Sequence, residues 1–341
     1  MFEIDIIPKH KFKPSTVTIR KTFNININIF NLSNYLPIYH IFDKEGNRIK
    51  LISGSRKSIE YYGPEKSVIS ICFKDIRRGM RTGAMNNMVS LDIQKNGKNI
   101  HLKVSSSAII SVGTSSLKEG ENVFNTVINH IEEIQKKINF IKSLDKEVVM
   151  KNILIFVKIL EGKDLIPLSE IQELVQKTTD INKELVNIFL LYYQDFDKNQ
   201  TDNYIKKINS LYGDIDIFEG ELKCSESNIF NSVFYTNCIK NIRVPLHLLA
   251  QYLSSFGIIV NYDNRTSEGV VVCFNVEEQK TSYNYASKEY KHRFTIHMNG
   301  KIKQTSPSKQ EEAHKYYFGL MNLIKKFFEK KDIDFKQYLI K

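Results

Sequence analysis

Residues 100–119 and 292–311 carry one pattern written twice, 192 positions apart, and this confines the chain to folds built from a duplicated unit. The first copy runs Ile100-His101-Leu102-Lys103-Val104-Ser105, turns at Ser107-Ala108, resumes from Ile109 to Gly113 and reaches Ser116-Leu117-Lys118-Glu119. The second runs His292-Arg293-Phe294-Thr295-Ile296-His297, turns at Asn299-Gly300, resumes from Lys301 to Thr305 and reaches Ser308-Lys309-Gln310-Glu311. Each copy reads as strand, tight turn, strand, then a helix opened by a Ser-x-x-Glu capping box, whose side chains satisfy the free amides at a helix start.

The flanking segments repeat in the same order. Residues 1–140 form a first lobe. It has an alternating strand over 16–29, a short helix over 32–39 capped by Asn31, and strands around 48–52, 67–73 and 88–93, with a turn at Asn96-Gly97. Its closing helix carries Phe124, Val127, Ile128, Ile131, Ile134 and Ile138 at helical spacing. Residues 228–341 form the second lobe, with a strand over 232–239, a helix over 244–254 with Pro245 in its first turn, and strands over 258–262 and 270–276. Its last helix buries Tyr316 or Tyr317, Leu320, Leu323, Ile324 and Phe327. Residues 141–227 lack strand alternation and predict helices over 183–196 and 204–211, with a third capping box at Ser169-Glu170-Ile171-Gln172. Too many of their residues are apolar for a solvated tether, so they form a helical insertion.

The chain has 49 Lys and Arg against 38 Asp and Glu, a formal charge of +11. Such an excess suits a polyanionic partner, although a genome biased toward Lys, Ile and Asn produces the same surplus. Cys72, Cys224, Cys238 and Cys273 show no CxxC pairing and no metal-ligand spacing with His, so neither a zinc site nor a disulfide framework is signalled. Cys72 and Cys273 read as filler of buried strands. No apolar run reaches the length of a membrane span, and Lys9, Lys11 and Lys13 behind Glu3 and Asp5 do not read as a signal peptide. The histidines have no Ser, Cys or acidic partner at catalytic spacing, so no catalytic residue, cofactor or metal site is assigned. Arg77, Arg78 and Arg81 cluster around a Gly79-Met-Arg-Thr-Gly83 segment that reads as a solvated loop or a phosphate-gripping one.

Strand parity sorts the repeat into two faces. In the second copy Phe294, Ile296, Met298 and Ile302 share one face, and Thr295, His297, Asn299, Lys301, Lys303 and Thr305 the other. In the first, Leu102, Val104, Ala108, Ile110 and Val112 oppose Lys103, Ser105, Ser107, Ser111 and Gly113, with Ile109 out of step. A sheet with helices on its apolar face would thus present a basic, hydroxyl-rich face twice. A solvated face is the plain account of this, and the repetition favours a binding one, since two such faces joined edge to edge would make a long polar surface.

These residues support a family resemblance. Two tandem units of strand, helix, several strands and a long helix resemble the lobes of the TATA-box-binding protein family. The stretch from Phe294 to Thr305 resembles that family's strand LIFxSGKxVxTG, matching at Gly300, Lys301 and Thr305, with Gly113 and Thr114 near the corresponding site of the first copy. Divergent versions occur in large cytoplasmic DNA viruses. The resemblance implies an α+β saddle, in which two pseudo-repeated lobes form a curved antiparallel sheet with helices on the convex face. It further implies a transcription initiation factor that binds AT-rich promoter duplex on the concave face and recruits basal factors or polymerase subunits. Its place would be the nucleus, or the viral factory or virion if the source is viral. The candidate DNA contacts are Thr295, His297, Asn299, Lys301, Lys303, Thr305, Lys103, Ser105 and Ser107, with Asn231 aligned to the family's groove-reading asparagine. Where the family wedges phenylalanines between base steps this chain has His297 and a position near Ser105, and a groove-floor valine becomes Lys303 and Ser111. Phe42 and Phe256 are substitute wedges or corner core residues. Two alternatives stay open: a scaffold subunit that kept the fold and lost the DNA, and a sliding-clamp-like replication factor.

Overall fold

The computed structural model describes residues 2–39, 66–79, 87–95, 98–161, 168–178, 180–192, 201–213, 215–263, 269–275, 291–307 and 310–340. The expected strand over 48–52, the Asn96-Gly97 turn, Phe42, Arg81 and Ser308 lie outside the described residues. In chain order the first elements are β1 (Glu3–Ile4), β2 (Thr16–Thr22), α1 (Ile29–Tyr35), β3 (Val68–Phe73), β4 (Ile76–Gly79), β5 (Val89–Lys95), β6 (Lys98–Val104) and β7 (Ala108–Thr114). Five helices follow: α2 (Leu117–Ser143), α3 (Lys146–Ile159), α4 (Leu168–Gln176), α5 (Lys183–Tyr192) and α6 (Thr201–Ser210). The chain ends with β8 (Asn228–Asn237), β9 (Ile239–Lys240), α7 (Leu246–Ser254), β10 (Ile259–Asn261), β11 (Gly269–Asn275), β12 (Lys291–His297), β13 (Lys301–Ser306) and α8 (Gln310–Phe328).

The chain divides into two compact units. Unit I comprises Met1–Arg20, Val112–Glu119 and Asn228–Lys341, and unit II comprises Lys21–Ser111 and Gly120–Ser227. The chain passes from one unit to the other within β2, β7 and α2, so these divisions cut across the segments 1–140, 141–227 and 228–341.

In unit I the strands run β10-β11-β12-β13-β8-β2, each antiparallel to its neighbours. One row across this sheet, Val272, Phe294, Gln304 and Phe234, is at most 1% exposed and faces the core. Helix α7 lays Leu246, Leu249, Ala250 and Leu253 on that face, and α8 lays Tyr317, Leu320, Met321, Ile324 and Phe327 there. Each fully buried apolar side chain contributes about 1.5–3 kcal/mol, so the two helices are held chiefly by this face. The N-terminal segment packs on the same core through Phe2, Ile4, Ile6, Ile7 and Phe12. It is pinned where the Tyr317 hydroxyl accepts from the Ile7 N–H at 3.2 Å, while burial pushes the Tyr317 phenol up and keeps it protonated.

In unit II, β6, β5, β3 and β4 are antiparallel neighbours in that order. Helix α2 buries Phe124, Val127, Ile128, Ile131, Ile134 and Ile138, all the positions that its spacing predicts. Ser116 Oγ accepts from the Glu119 N–H at 3.2 Å, while the Glu119 carboxylate reaches back to the Ser115 N–H at 2.7 Å, one residue before the expected partner. The helical segment is fastened to α2 by Gln135, which takes the Ile217 N–H at 2.7 Å on its oxygen and donates to Asp216 at 2.7 Å. Phe156, Phe189 and Tyr204 join α3, α5 and α6, with Phe156 and Phe189 ring centroids 5.5 Å apart.

Several expected boundaries move. The alternation over 16–29 stops being a strand at Thr22, because asparagine amides offer the backbone other partners. Asn24 bonds Glu221 O and the Lys223 N–H, and Asn28, not Asn31, caps α1 by accepting from the Asn31 N–H at 3.0 Å. Ser169 lies inside α4 rather than at its cap, and Pro245 is the N-cap of α7. Arg78 stands on a strand and donates to the Ser33 and Leu36 carbonyls at 3.1 and 2.7 Å, which binds it to the C-terminal end of α1.

Candidate nucleic-acid interface

The face of unit I opposite the helices is built by two rows of side chains. Register carries one row from Ile259 through Cys273, Arg293, Thr305 and Val233 to Thr16. The other runs from Asn261 through Val271, Thr295 and Lys303 to Tyr235, and Lys301 stands opposite Asn237. All of these are half-buried or exposed, and among the described residues of these rows none is acidic. Arg293, Lys301 and Lys303 therefore meet no carboxylate among the described residues of these rows. Lys303 Nζ lies 5.8 Å from the centre of the Tyr235 ring, and Tyr235 is 59% exposed. Cys273, expected as core filler, is half-buried on this open side, opposite Arg293.

Most second-copy candidates gather here. Thr295, Lys303 and Thr305 lie in adjacent ladder positions, His297 ends β12 half-buried, and Asn231 faces Thr18. Asn299 sits in the hairpin turn, where its Oδ1 accepts from the Lys301 N–H at 3.2 Å. Met298, assigned to the core face, is 51% exposed in the same turn. Gly300 closes this turn at φ +78°, and a Cβ there would collide with the Ile239 carbonyl. Behind the face, His292 is fully buried, with Nδ1 2.9 Å from Ser306 Oγ and its ring stacked on Tyr316 at 4.0 Å. Burial holds its imidazole below the ordinary range, against the opposing pull of Glu312.

The first copy is different, and the cause is one residue of turn. The Ser105 N–H donates to the Ala108 carbonyl at 2.8 Å and Ser105 Oγ accepts from the Ala108 N–H at 3.0 Å, so the loop is Ser106-Ser107, not Ser107-Ala108. In the second hairpin Ile296 pairs with Ile302, so His297 stands opposite Lys301 and three residues, Met298 to Gly300, form the loop. Beyond the turn the copies thus stand 193 positions apart, pairing Ile109 with Ile302 and Ser111 with Gln304, all four at most 1% exposed. A one-residue slip exchanges the faces of a strand. Ile109 is a core residue, Ser111 is buried with no hydrogen-bond partner for its hydroxyl among the described residues, and Val112 is 40% exposed. Thr114 is buried and donates to Val17 O at 3.2 Å, so it does not match the open-face Thr305.

The basic face is accordingly not written twice. Lys103 is half-buried opposite Ser90, Ser105 spends its hydroxyl on the turn, and Ser107 is exposed in it. All six residues of β3 are buried, and so are Ser90 and Gln94, the alternate positions of β5. Asp92 lies on this polar side. It accepts from Ser70 Oγ at 2.7 Å and lies 3.2 Å from His101 Nδ1. Three residues of the open face, Tyr235, Arg293 and Thr16, escaped the sequence reading, although the parity of their strands would have placed all three. Phe256 is 52% exposed and edge-on to Tyr252 at 5.0 Å, so it is not core. No cluster of His, Cys, Asp and Glu among the described residues could hold a metal ion, and no helix among them is long and apolar enough to cross a membrane.

No protein-family model matches the chain, and no curated protein matches it. Among solved structures it is similar to a Methanococcus jannaschii TBP, with a TM-score of 0.36 and 11% identity over 92% of this chain and 98% of that one. A likeness this distant assigns no residue of one chain to a residue of the other.

Proposed function

We propose that this protein is a TBP-like transcription initiation factor that binds promoter duplex on the open face of unit I and recruits basal factors or polymerase subunits. It would act in the cytoplasmic viral factory or the virion if the source is viral, and otherwise in the nucleus. The observation that carries the reading is the open face itself, where Arg293, Lys301 and Lys303 stand among threonine and asparagine side chains with no acidic residue in the described rows. Lysine and arginine on such a surface neutralise phosphates, and hydroxyls and amides reach sugar and groove atoms. No chemical step belongs to this reading.

The test is binding of an AT-rich duplex across a salt series with Lys301→Ala and Lys303→Ala combined. Each lost phosphate contact lowers the slope of log K against log salt by about 0.9, so the double variant should lose about 1.8. An unchanged slope and affinity would remove the reading. A second reading, a scaffold subunit that does not hold DNA, is favoured by the buried polar side of β3 and by Asp92. The exposed Val148 and Leu154 of α3 would then be contact points for a protein. It predicts no mobility shift at either low or moderate salt.

A further inference from the structure

We propose that Tyr235, with Lys303 beside it, is a stacking site for an unpaired base, so that the open face of unit I prefers DNA whose strands are locally separated over a continuous duplex. This inference rests on the reading of that face as a DNA site and narrows what it takes. Tyr235 is, at 59%, the most exposed large apolar side chain among the described residues. It is not at a frayed end. It sits within β8, with Val233 and Asn237 as same-face neighbours and Lys303 directly across the ladder.

On its other side the ladder with β2 begins only at Thr16 opposite Val233, so no residue of β2 stands across from Tyr235. Its backbone is nonetheless fixed, since its N–H donates to Ser15 Oγ at 3.3 Å. The ring is thus an exposed aromatic surface mounted on a hydrogen-bonded strand, with an ammonium on one flank. Among the described residues it meets no second aromatic ring.

Such a ring is suited to the π-face of a base. In a continuous duplex both faces of every base are covered by its stacked neighbours, and a tyrosine on a sheet meets only edges and sugars. A base freed from pairing can turn its face to the ring. Lys303 and Lys301 lie close enough to take the adjoining phosphates, and Thr295 and Asn237, next to them in register, offer hydrogen bonds to base edges. Charge complementarity and the uncovered ring therefore select the same occupant.

The experiment compares three labelled DNAs of one AT-rich sequence: the full duplex, the duplex with a short mismatched bubble, and the single strand. Binding is measured by fluorescence anisotropy at fixed salt with the full chain. The wild type should bind the bubble about tenfold more tightly than the duplex, the effect of about one base stacked on an aromatic ring. Tyr235→Ala should bring the ratio of bubble to duplex affinity to about one, while Tyr235→Phe should keep the wild-type ratio. Equal wild-type affinity for bubble and duplex would overturn the inference, as would a Tyr235→Ala loss of the same factor on both. If the wild type binds none of the three DNAs, the DNA reading of the face fails and this inference falls with it. Duplex binding without a bubble preference overturns the stacking site alone.

Discussion

Truncating Ile109 to alanine should destabilise the protein severely, and truncating its neighbour Ile110 should do little. Ile109 is fully buried behind the Ser106-Ser107 loop, while Ile110 is half-buried on the opposite side of β7. Removing a buried isoleucine down to Ala costs about 2–5 kcal/mol, from lost transfer energy plus the cavity left behind. A half-exposed isoleucine forfeits roughly half the transfer term and leaves no closed cavity, about 1 kcal/mol. The gap of roughly 2 kcal/mol is a factor of about 30 in the unfolding equilibrium. Urea denaturation followed by far-UV circular dichroism reads the global cost. Hydrogen exchange over residues 98–114 reads the hairpin itself. Ile110→Lys, which sets the residue type of Lys303 at the corresponding place, should fold normally. Costs in the reverse order would mean that the loop is Ser107-Ala108 and that the register argued from Ser105 and Ala108 is wrong.

Two further outcomes follow from single contacts. Gly300→Ala should cost roughly 2 kcal/mol or more, because a side chain at φ +78° is strained and its Cβ meets the Ile239 carbonyl; a melting shift equivalent to less than about 0.5 kcal/mol would contradict this. His292 is held neutral by burial, so its folded pKa lies below the unfolded value of 6.5. The unfolded chain then binds the extra proton, and the contribution of His292 is intact above about pH 6.5 and lost as the pH falls below it. His292→Asn should flatten the decline of stability between about pH 6.5 and pH 5, and a parallel decline in the variant would refute the assignment.

The elements that the sequence revealed best are those whose period is long and whose packing is one-sided. Phe124 through Ile138 in α2, and Tyr317, Leu320, Ile324 and Phe327 in α8, are buried where their spacing places them. The β12–β13 hairpin was legible because Asn299-Gly300 marks its turn and alternation is clean on both sides. The first hairpin was not. Three consecutive serines before Ala108 fit a two-residue loop in either of two registers, and composition does not choose between them. What chooses is Ser105, whose hydroxyl can close on the Ala108 amide, together with the need to bury Ile109. A local side-chain hydrogen bond of this kind also ended β2 early, at Asn24 and Asn28. The open face was readable in kind, as threonine, lysine and asparagine, but its aromatic member stands on β8, outside the repeated hairpins.

The one-residue difference between the two loops has a functional consequence. Beyond it, the open-side positions that hold Lys303 and Thr305 in the second copy are held by Ile110 and Val112 in the first. Next to the first copy, β5 carries an acid on its polar side, Asp92, clasped by Ser70 and His101, whereas the described rows beside the second have none. A phosphate near Asp92 would meet like charge, and a phosphate near Lys303 would not. The two hairpins are thus similar in sequence, and the register of one gives them different exposed surfaces. If nucleic acid is the partner, its affinity and salt dependence must come mainly from Arg293, Lys301 and Lys303 of unit I.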